Sequence, residues 1–222
     1  MKNFIHKFLK ANLRSIFLNF YLLPFRQAIH LPLLFSRKVK VAHIYRGGVQ
    51  LNSKLLRPGM VQIGYEGAGI IDAKYERTLV EVSGEGRLIF NGNAFIGSAS
   101  RLCAHGALEF GTDVNVTGRS DFICYKNIKI GSGSLISWNC LFMDTDFHKI
   151  FSGSKIVNKP ESISVGEKCW IGCRATFLKG SGIPNGAVVG AGSIVSRNLT
   201  EENSVYAGNP ARLVKENIRW EK

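Results

Sequence analysis

The chain has 222 residues, of which 45% are hydrophobic, so it is long enough for one well-buried domain with an appendage and too short for three independent domains. Its 24 glycines are scattered along the sequence, which favours a fold with many tight corners over a helical bundle or a disordered chain. The net charge is +13, and the five cysteines include no CxxC pair, so that neither a disulfide framework nor a bound metal is expected.

Residues 1–60 form a basic, apolar segment that we predict to be partly helical. Residues 1–65 hold eleven Lys and Arg and no Asp or Glu. The Phe, Leu and Ile among them suit a helix in a membrane interface, but the segment could equally pack on its own domain. Arg14 and Pro24 interrupt the longest apolar run, which argues against a membrane span and a secretory signal. We therefore expect a cytoplasmic protein that can contact the inner face of the membrane through this segment.

A six-residue repeat organises residues 61–206. Large apolar residues recur six apart at Val165, Ile171, Phe177, Ile183, Val189 and Val195. Small residues recur four positions after them at Cys169, Ala175, Ser181, Ala187 and Ser193. This period fits short strands joined by corners, with one inward residue on each of three faces. The pattern, which is weaker but legible from Phe90, predicts a mainly β protein folded as a parallel β-helix whose terminal coils need caps.

The last segment, residues 207–222, reads as a short C-terminal helix. Pro210 can open a helix, and Leu213, Val214, Ile218 and Trp220 could form its apolar side. We predict that this tail packs back on the β-helix.

The units VGEKCW, IGCRAT, FLKGSG, IPNGAV and VGAGSI, followed by YAGNPARLVK, resemble the hexapeptide-repeat acyltransferase family. The resemblance covers residues 90–215 and is most similar to enzymes that O-acetylate sugars, including bacterial surface polysaccharides. It implies a left-handed parallel β-helix, a homotrimer, acetyl-CoA as co-substrate and a saccharide acceptor.

An insertion at about residues 143–162 interrupts the repeat and is the predicted active-site loop, because loops on rigid scaffolds commonly carry chemistry. Acyl transfer to an alcohol needs a base, and histidine, with an ordinary pKa of about 6.5, suits that role. The loop histidine, His148, also matches the family's. Asp146, or else Asp144, could orient its ring. Asn139, just before the loop, could position the acceptor or polarise the thioester carbonyl, with a structural corner role as the alternative.

The remaining site residues follow from the match to the family. Trp170 would border the acceptor pocket together with Asp144, or lie at a subunit interface. Small side chains would line the pantetheine arm, and cationic ones would face the nucleotide phosphates. The first set is Cys173, Ala191 and Ser196, and the second is Arg197, Arg212 and Lys215.

Other functions fit parts of the sequence. A carbonic anhydrase on the same coil needs three histidines around a metal, and only His105 and His148 fall within the repeats. A β-helix scaffold without catalysis stays open, as does N-acetylation of an amino sugar, which a histidine base would also serve. The charge alone suggests nucleic acid, but no recognition motif accompanies it and we expect no such partner.

Overall fold

The computed structural model describes residues 12–67, 69, 71–72 and 75–222. Within these residues there are two helices, α1 (Leu13–Leu22) and α2 (Phe25–Ala28). The first twelve strands are β1 (Leu33–Phe35), β2 (Val39–Ala42), β3 (Val49–Leu51), β4 (Val61–Tyr65), β5 (Thr78–Val82), β6 (Arg87–Phe90), β7 (Ala94–Gly97), β8 (Arg101–Ala104), β9 (Ala107–Phe110), β10 (Val114–Val116), β11 (Asp121–Cys124) and β12 (Asn127–Ile130). The others are β13 (Leu135–Ile136), β14 (Leu141–Met143), β15 (Phe151–Ser152), β16 (Lys155–Ile156), β17 (Ile163–Val165), β18 (Trp170–Ile171), β19 (Thr176–Leu178), β20 (Gly182–Ile183), β21 (Val188–Val189), β22 (Ile194–Val195), β23 (Val205–Gly208) and β24 (Ala211–Lys215).

The strands build three long sheets, which we call faces A, B and C. Face A runs β1-β4-β7-β10-β13-β18-β21-β23-β24, face B runs β2-β5-β8-β11-β14-β19-β22, and face C runs β3-β6-β9-β12-β17-β20. Successive strands of a face pair in parallel, apart from β23 with β24. The chain visits the faces in the order A, B, C, so each coil has an A–B, a B–C and a C–A corner. This arrangement is the predicted parallel β-helix.

The six-residue repeat positions fill the interior as predicted. The repeated apolar residues from Val165 to Val195 are all buried, and so are the small residues between them. Five phenylalanines form a continuous column through the middle coils, with neighbouring ring centroids 4.7–5.5 Å apart. They are Phe90, Phe110, Phe122, Phe142 and Phe177. Three of the four pairs are stacked and Phe110 meets Phe122 edge-on, and such ring contacts help to hold the coils in one register.

Helix α1 closes the first coil. Asn12 caps it by accepting a hydrogen bond from the Ser15 amide at 2.9 Å. The buried Asn19 side chain donates to the Leu33 carbonyl at 2.7 Å and accepts from the Leu33 amide at 3.0 Å. Ser15 Oγ likewise accepts from the Phe35 amide at 2.9 Å, so side chains of the cap replace the missing neighbour of edge strand β1. No helix in the described ranges is long and apolar enough to cross a bilayer.

The boundary predicted at residue 60 is too late. The first coil consists of β1, β2 and β3 within residues 33–51, so only the part before Leu33 serves as the cap. The early coils lack the regular small residue of the repeat, and for this reason the sequence pattern does not reveal them. The first eleven residues of the basic segment, including Lys2, Lys7 and Lys10, lie outside the described residues.

The predicted C-terminal helix is wrong. Residues 205–208 and 211–215 form an antiparallel hairpin, β23 with β24, with Pro210 in its turn. The hairpin extends face A beyond β21, because an exposed strand edge presents unpaired backbone groups. The tail does pack back on the β-helix, but as extended chain: Trp220 Nε1 donates to the Lys168 carbonyl at 2.7 Å.

Candidate active site

Face B of the last three coils forms a shallow apolar platform. In β14, β19 and β22 the inward residues are buried, while the outward side chains are partly exposed. Parallel pairing aligns the outward residues in columns. They are Leu141, Met143, Thr176, Leu178 and Ile194. Half-exposed apolar side chains on a rigid sheet suit an elongated, flexible ligand.

Predicted site residues border this platform on both sides. The A–B corners carry Asn139, Cys173 and Ala191 in successive coils. The B–C corners carry the loop with His148, then Ser196 next to Arg197 in the last coil. The structure therefore brings the proposed base and the proposed pantetheine-lining residues to the two edges of one face.

Hydrogen bonds between coils fix the A–B corner. The Arg174 amide donates to the Trp138 carbonyl at 3.0 Å, and the Gly192 amide donates to the Cys173 carbonyl at 2.8 Å. Asn139 has φ of 60°, and Arg174 and Gly192 occupy the equivalent left-handed position with φ of 61° and 70°. Asparagine is favoured among non-glycine residues in this conformation. The structural corner role of Asn139 thus has direct support, and its half-exposed side chain leaves the catalytic role open.

Three hydrogen bonds from one side chain hold the backbone around His148. Asn158, which is buried, donates to the His148 carbonyl at 2.7 Å and to the Asp146 carboxylate at 2.9 Å. Its Oδ1 accepts from the Ile150 amide at 2.6 Å. His148 itself is exposed, so its ring is accessible while its backbone is restrained. The sequence analysis missed Asn158, because nothing distinguishes it from the other turn-forming residues of the loop.

Asp144 does not line an acceptor pocket. It is fully buried, and its carboxylate accepts from the amides of Tyr125, Lys126 and Asn127 at 2.7, 2.8 and 2.9 Å. Its carbonyl accepts from the Glu161 amide at 3.0 Å, which closes the base of the loop. The predicted substrate contact is corrected to an anchoring role, because the carboxylate is buried away from the surface and both of its oxygens accept from backbone amides.

In the part of the chain that the structure describes, the Asp146 carboxylate hydrogen-bonds to Asn158 and Lys179 and not to the His148 ring. Its carboxylate accepts from Asn158 and forms an ion pair with Lys179, which projects from the next coil. Within the described residues it makes no hydrogen bond to the imidazole. In this structure, therefore, the predicted orienting carboxylate ties the loop to the β-helix instead.

The Asp146 ion pair gives the loop a pH-dependent tether. Hydrogen bonds from Lys179 and Asn158 hold the pKa of the Asp146 carboxyl below its usual value of 3.8. A lowered folded-state pKa stabilises the fold above the unfolded-state value, and this stabilisation is lost as the pH falls through the folded-state value. We expect Asp146→Asn to cost less than about 1 kcal/mol at neutral pH, because the pair is partly exposed. Unfolding midpoints of parent and variant should converge once the pH has fallen through the folded-state pKa of Asp146; a difference that persisted in acid would contradict this assignment.

The other predicted site residues lie on separate surfaces. Trp170 is exposed at the start of β18 on face A, where its Nε1 donates to Ser137 Oγ at 3.4 Å. Its ring lies 6.1 Å from that of Trp220. Arg212 and Lys215 are exposed on β24, at the far end of face A. Within one chain, Trp170 and His148 therefore belong to different faces.

Most cysteines are unsuited to nucleophilic chemistry. All five are free, and Cys124, Cys140 and Cys169 are buried. Burial is the main cause that raises the pKa of each of these three thiols to about 12. They stay protonated at neutral pH, so that only partly exposed thiols such as Cys173 can meet a ligand.

Comparisons with known proteins agree with this architecture, although no family model matches the sequence. A Klebsiella pneumoniae protein, an uncharacterized 24.8 kDa protein in the cps region, is 32% identical over 205 residues, which cover 91% of this chain and 87% of that protein. The putative lipopolysaccharide biosynthesis O-acetyl transferase WbbJ of Escherichia coli K12 is 30% identical over 158 residues, which cover 64% of this chain and 80% of WbbJ.

Among solved structures, the polysialic acid O-acetyltransferase OatWY is 21% identical, with a TM-score of 0.48 and coverage of 83% of this chain and 91% of that one. The family follows from the sequence relatives, in particular from the match over four fifths of WbbJ. Together with the coiled three-faced sheet, these relatives establish that the chain belongs to the hexapeptide-repeat acyltransferase family.

Proposed function

We propose that this protein transfers an acetyl group from acetyl-CoA to a hydroxyl group of a sugar, with His148 as the general base. The observation that carries the proposal is the exposed His148 on a restrained backbone at the edge of the face B platform. A base on a restrained backbone beside an apolar face that can bind a flexible thioester is the arrangement that direct acyl transfer requires.

The reaction needs one proton carrier. The His148 imidazole takes the proton of the acceptor hydroxyl while its oxygen attacks the thioester carbonyl. The tetrahedral intermediate then expels the thiolate of coenzyme A, which takes the proton back from the imidazolium. A donor near the carbonyl oxygen would stabilise the negative charge of the intermediate, and the side-chain NH₂ group of Asn139 is our candidate for this role.

Acetyl-CoA would lie along the edges of the last coils. The small or short side chains of Cys173, Ala191 and Ser196 leave room for the pantetheine arm. Arg197, Arg212 and Lys215 are exposed near the C-terminal end of the β-helix and would face the phosphates. The partly exposed thiol of Cys173 would contact the arm without acting as a nucleophile, since no hydrogen bond among the described residues joins it to a base.

A homotrimer would unite the separated site residues. Trp170 is exposed on face A, whereas His148 borders face B. If both contact one acceptor, they come from two adjacent subunits, with the indole stacked on a sugar ring. We therefore propose that Trp170 borders the acceptor across a subunit interface. Its exposure in the single chain supports this arrangement.

The acceptor class rests on the relatives. WbbJ is named for lipopolysaccharide biosynthesis and O-acetyl transfer, and the Klebsiella relative is named for the cps region. These names support a saccharide acceptor in the synthesis of a surface glycan. As a part of the proposal, the reaction takes place at the cytoplasmic side. N-acetylation of an amino sugar is the alternative. The deciding experiment measures coenzyme A release with a panel of sugars and amino sugars, followed by hydroxylamine, which cleaves an ester product and spares an amide. The absence of acceptor-dependent release would refute the proposal.

Asn158 is a positioning residue in this scheme, because it holds the backbone of His148 and of its neighbours. We expect Asn158→Ala to lower kcat by roughly 10- to 100-fold, since a small displacement of a base is costly. The KM for acetyl-CoA should stay unchanged. Lys155→Ala, an exposed change in the same loop, is the matched control and should retain parental kcat. A rise in the KM for acetyl-CoA with kcat unchanged would contradict this role.

A further inference from the structure

One end of the β-helix presents, on its helical cap, an apolar surface that no other described residue covers. The inner side of α1 packs on the first coil through Leu18 and Leu22. The outer side exposes 86% of Leu13 and 65% of Phe17, and 70% of Phe25 in α2 is exposed. Ring contacts join Phe17 to Tyr21 and Phe20 to Phe25, with centroids 5.9 and 6.0 Å apart. We call these five exposed residues, Leu13, Phe17, Phe20, Tyr21 and Phe25, the cap face.

The cap face is surrounded by positive charge. Residues 12–65 contain eight Lys and Arg and no Asp or Glu. Every corner of the first coil carries an exposed cation: Arg37 at the A–B corner, Arg46 at the B–C corner, and Lys54 with Arg57 at the C–A corner. A ring of cations therefore encloses the exposed apolar side chains at one end of the molecule.

We infer that the cap face binds the surface of an anionic lipid bilayer, with the β-helix standing end-on. Phe17, Phe25 and Leu13 enter the boundary between headgroups and acyl chains, and the corner cations contact lipid phosphates. An apolar helix face with cations beside it is the pattern of interfacial membrane helices. Anionic lipids attract such cations over about a Debye length.

Charge complementarity selects this occupant. A second copy of the chain would bring two cationic rings together, which is repulsive. Nucleic acid would match the charge but leave the apolar side chains without a partner. A bilayer interface supplies phosphates and hydrocarbon in adjacent layers, which matches the arrangement of the cap face. This inference does not depend on the proposed acetyl transfer.

The test is co-sedimentation of the full chain with vesicles of phosphatidylcholine alone and of phosphatidylcholine mixed with phosphatidylglycerol. We expect binding to the anionic vesicles that weakens with added salt. Phe17→Ser with Phe25→Ser should weaken it by at least roughly tenfold. Arg37→Gln with Arg46→Gln should weaken it by roughly 30-fold. Unfolding midpoints should match the parent, since all four side chains are exposed.

Matched controls lie at the opposite end of the β-helix. Leu213 and Val214 on β24 are also exposed apolar residues, and Arg197 and Lys215 are exposed cations. One control variant carries Leu213→Ser with Val214→Ser, and the other carries Arg197→Gln with Lys215→Gln. Both should bind vesicles at the parental level. An equal loss in the control variants, or no binding to anionic vesicles, would overturn the inference. The inference would also fail if the parent did not bind vesicles and the Phe17 and Phe25 variant formed a smaller assembly than the parent. That result would make the cap face an interface between copies of the chain.

Discussion

Replacement of His148 by alanine is expected to lower kcat with sugar acceptors by roughly 10²- to 10⁴-fold, the usual contribution of a positioned general base. The side chain is exposed, so the fold should not depend on it. The KM for acetyl-CoA should change little, because the proposed binding groups for the cofactor lie on other corners. Steady-state kinetics of coenzyme A release, together with acetyl-CoA affinity by calorimetry, check this expectation.

Lys149→Ala is the matched control for His148. It changes the adjacent exposed residue of the same loop and should retain the parental kcat. Equal acceptor-dependent turnover in the His148 variant and the parent would eliminate His148 as the base. A His148 variant that also lost acetyl-CoA affinity would instead place the ring in cofactor binding.

The sequence repeat predicts the β-helix because each inward position is a local consequence of a six-residue period. Ile171 and Phe177 are buried because the six-residue period directs one side chain of each face into the interior. The first coil was missed because its burial depends on α1, which satisfies β1 through Asn19. The C-terminal segment was wrongly predicted as a helix because the spacing of Leu213 and Val214 carries no information about the open edge of face A. In the structure the hairpin pairs with that edge.

The sequence predicts where the loop with His148 interrupts the repeat, but not the contacts that the carboxylates of this loop make. The interruption of the repeat is enough to predict that His148 lies in a loop at a corner of the β-helix. The partners of Asp144 and Asp146 depend on contacts between coils, such as those with Tyr125 and Lys179, which are 19 and 33 positions away in the sequence. Sequence proximity to His148 suggested a shared catalytic role, whereas the fold directs both carboxylates to the scaffold.

The Asp144→Ala variant is expected to lose roughly 3–5 kcal/mol of stability, because each hydrogen bond to a charged acceptor contributes about 1.5–3 kcal/mol and water recovers part of the loss. Its carboxylate is the acceptor for three consecutive amides of the preceding coil, which the variant would leave without these hydrogen bonds. Urea unfolding of the variant and the parent measures the difference. Asp146→Ala is the control, and its partly exposed ion pair should cost less than about 1 kcal/mol. Asp144→Asn, which keeps one side-chain oxygen, should lie between them. Unchanged stability of Asp144→Ala combined with a raised KM for the sugar would return Asp144 to the acceptor pocket, whereas lost stability identifies it as the residue that fixes the base of the His148 loop.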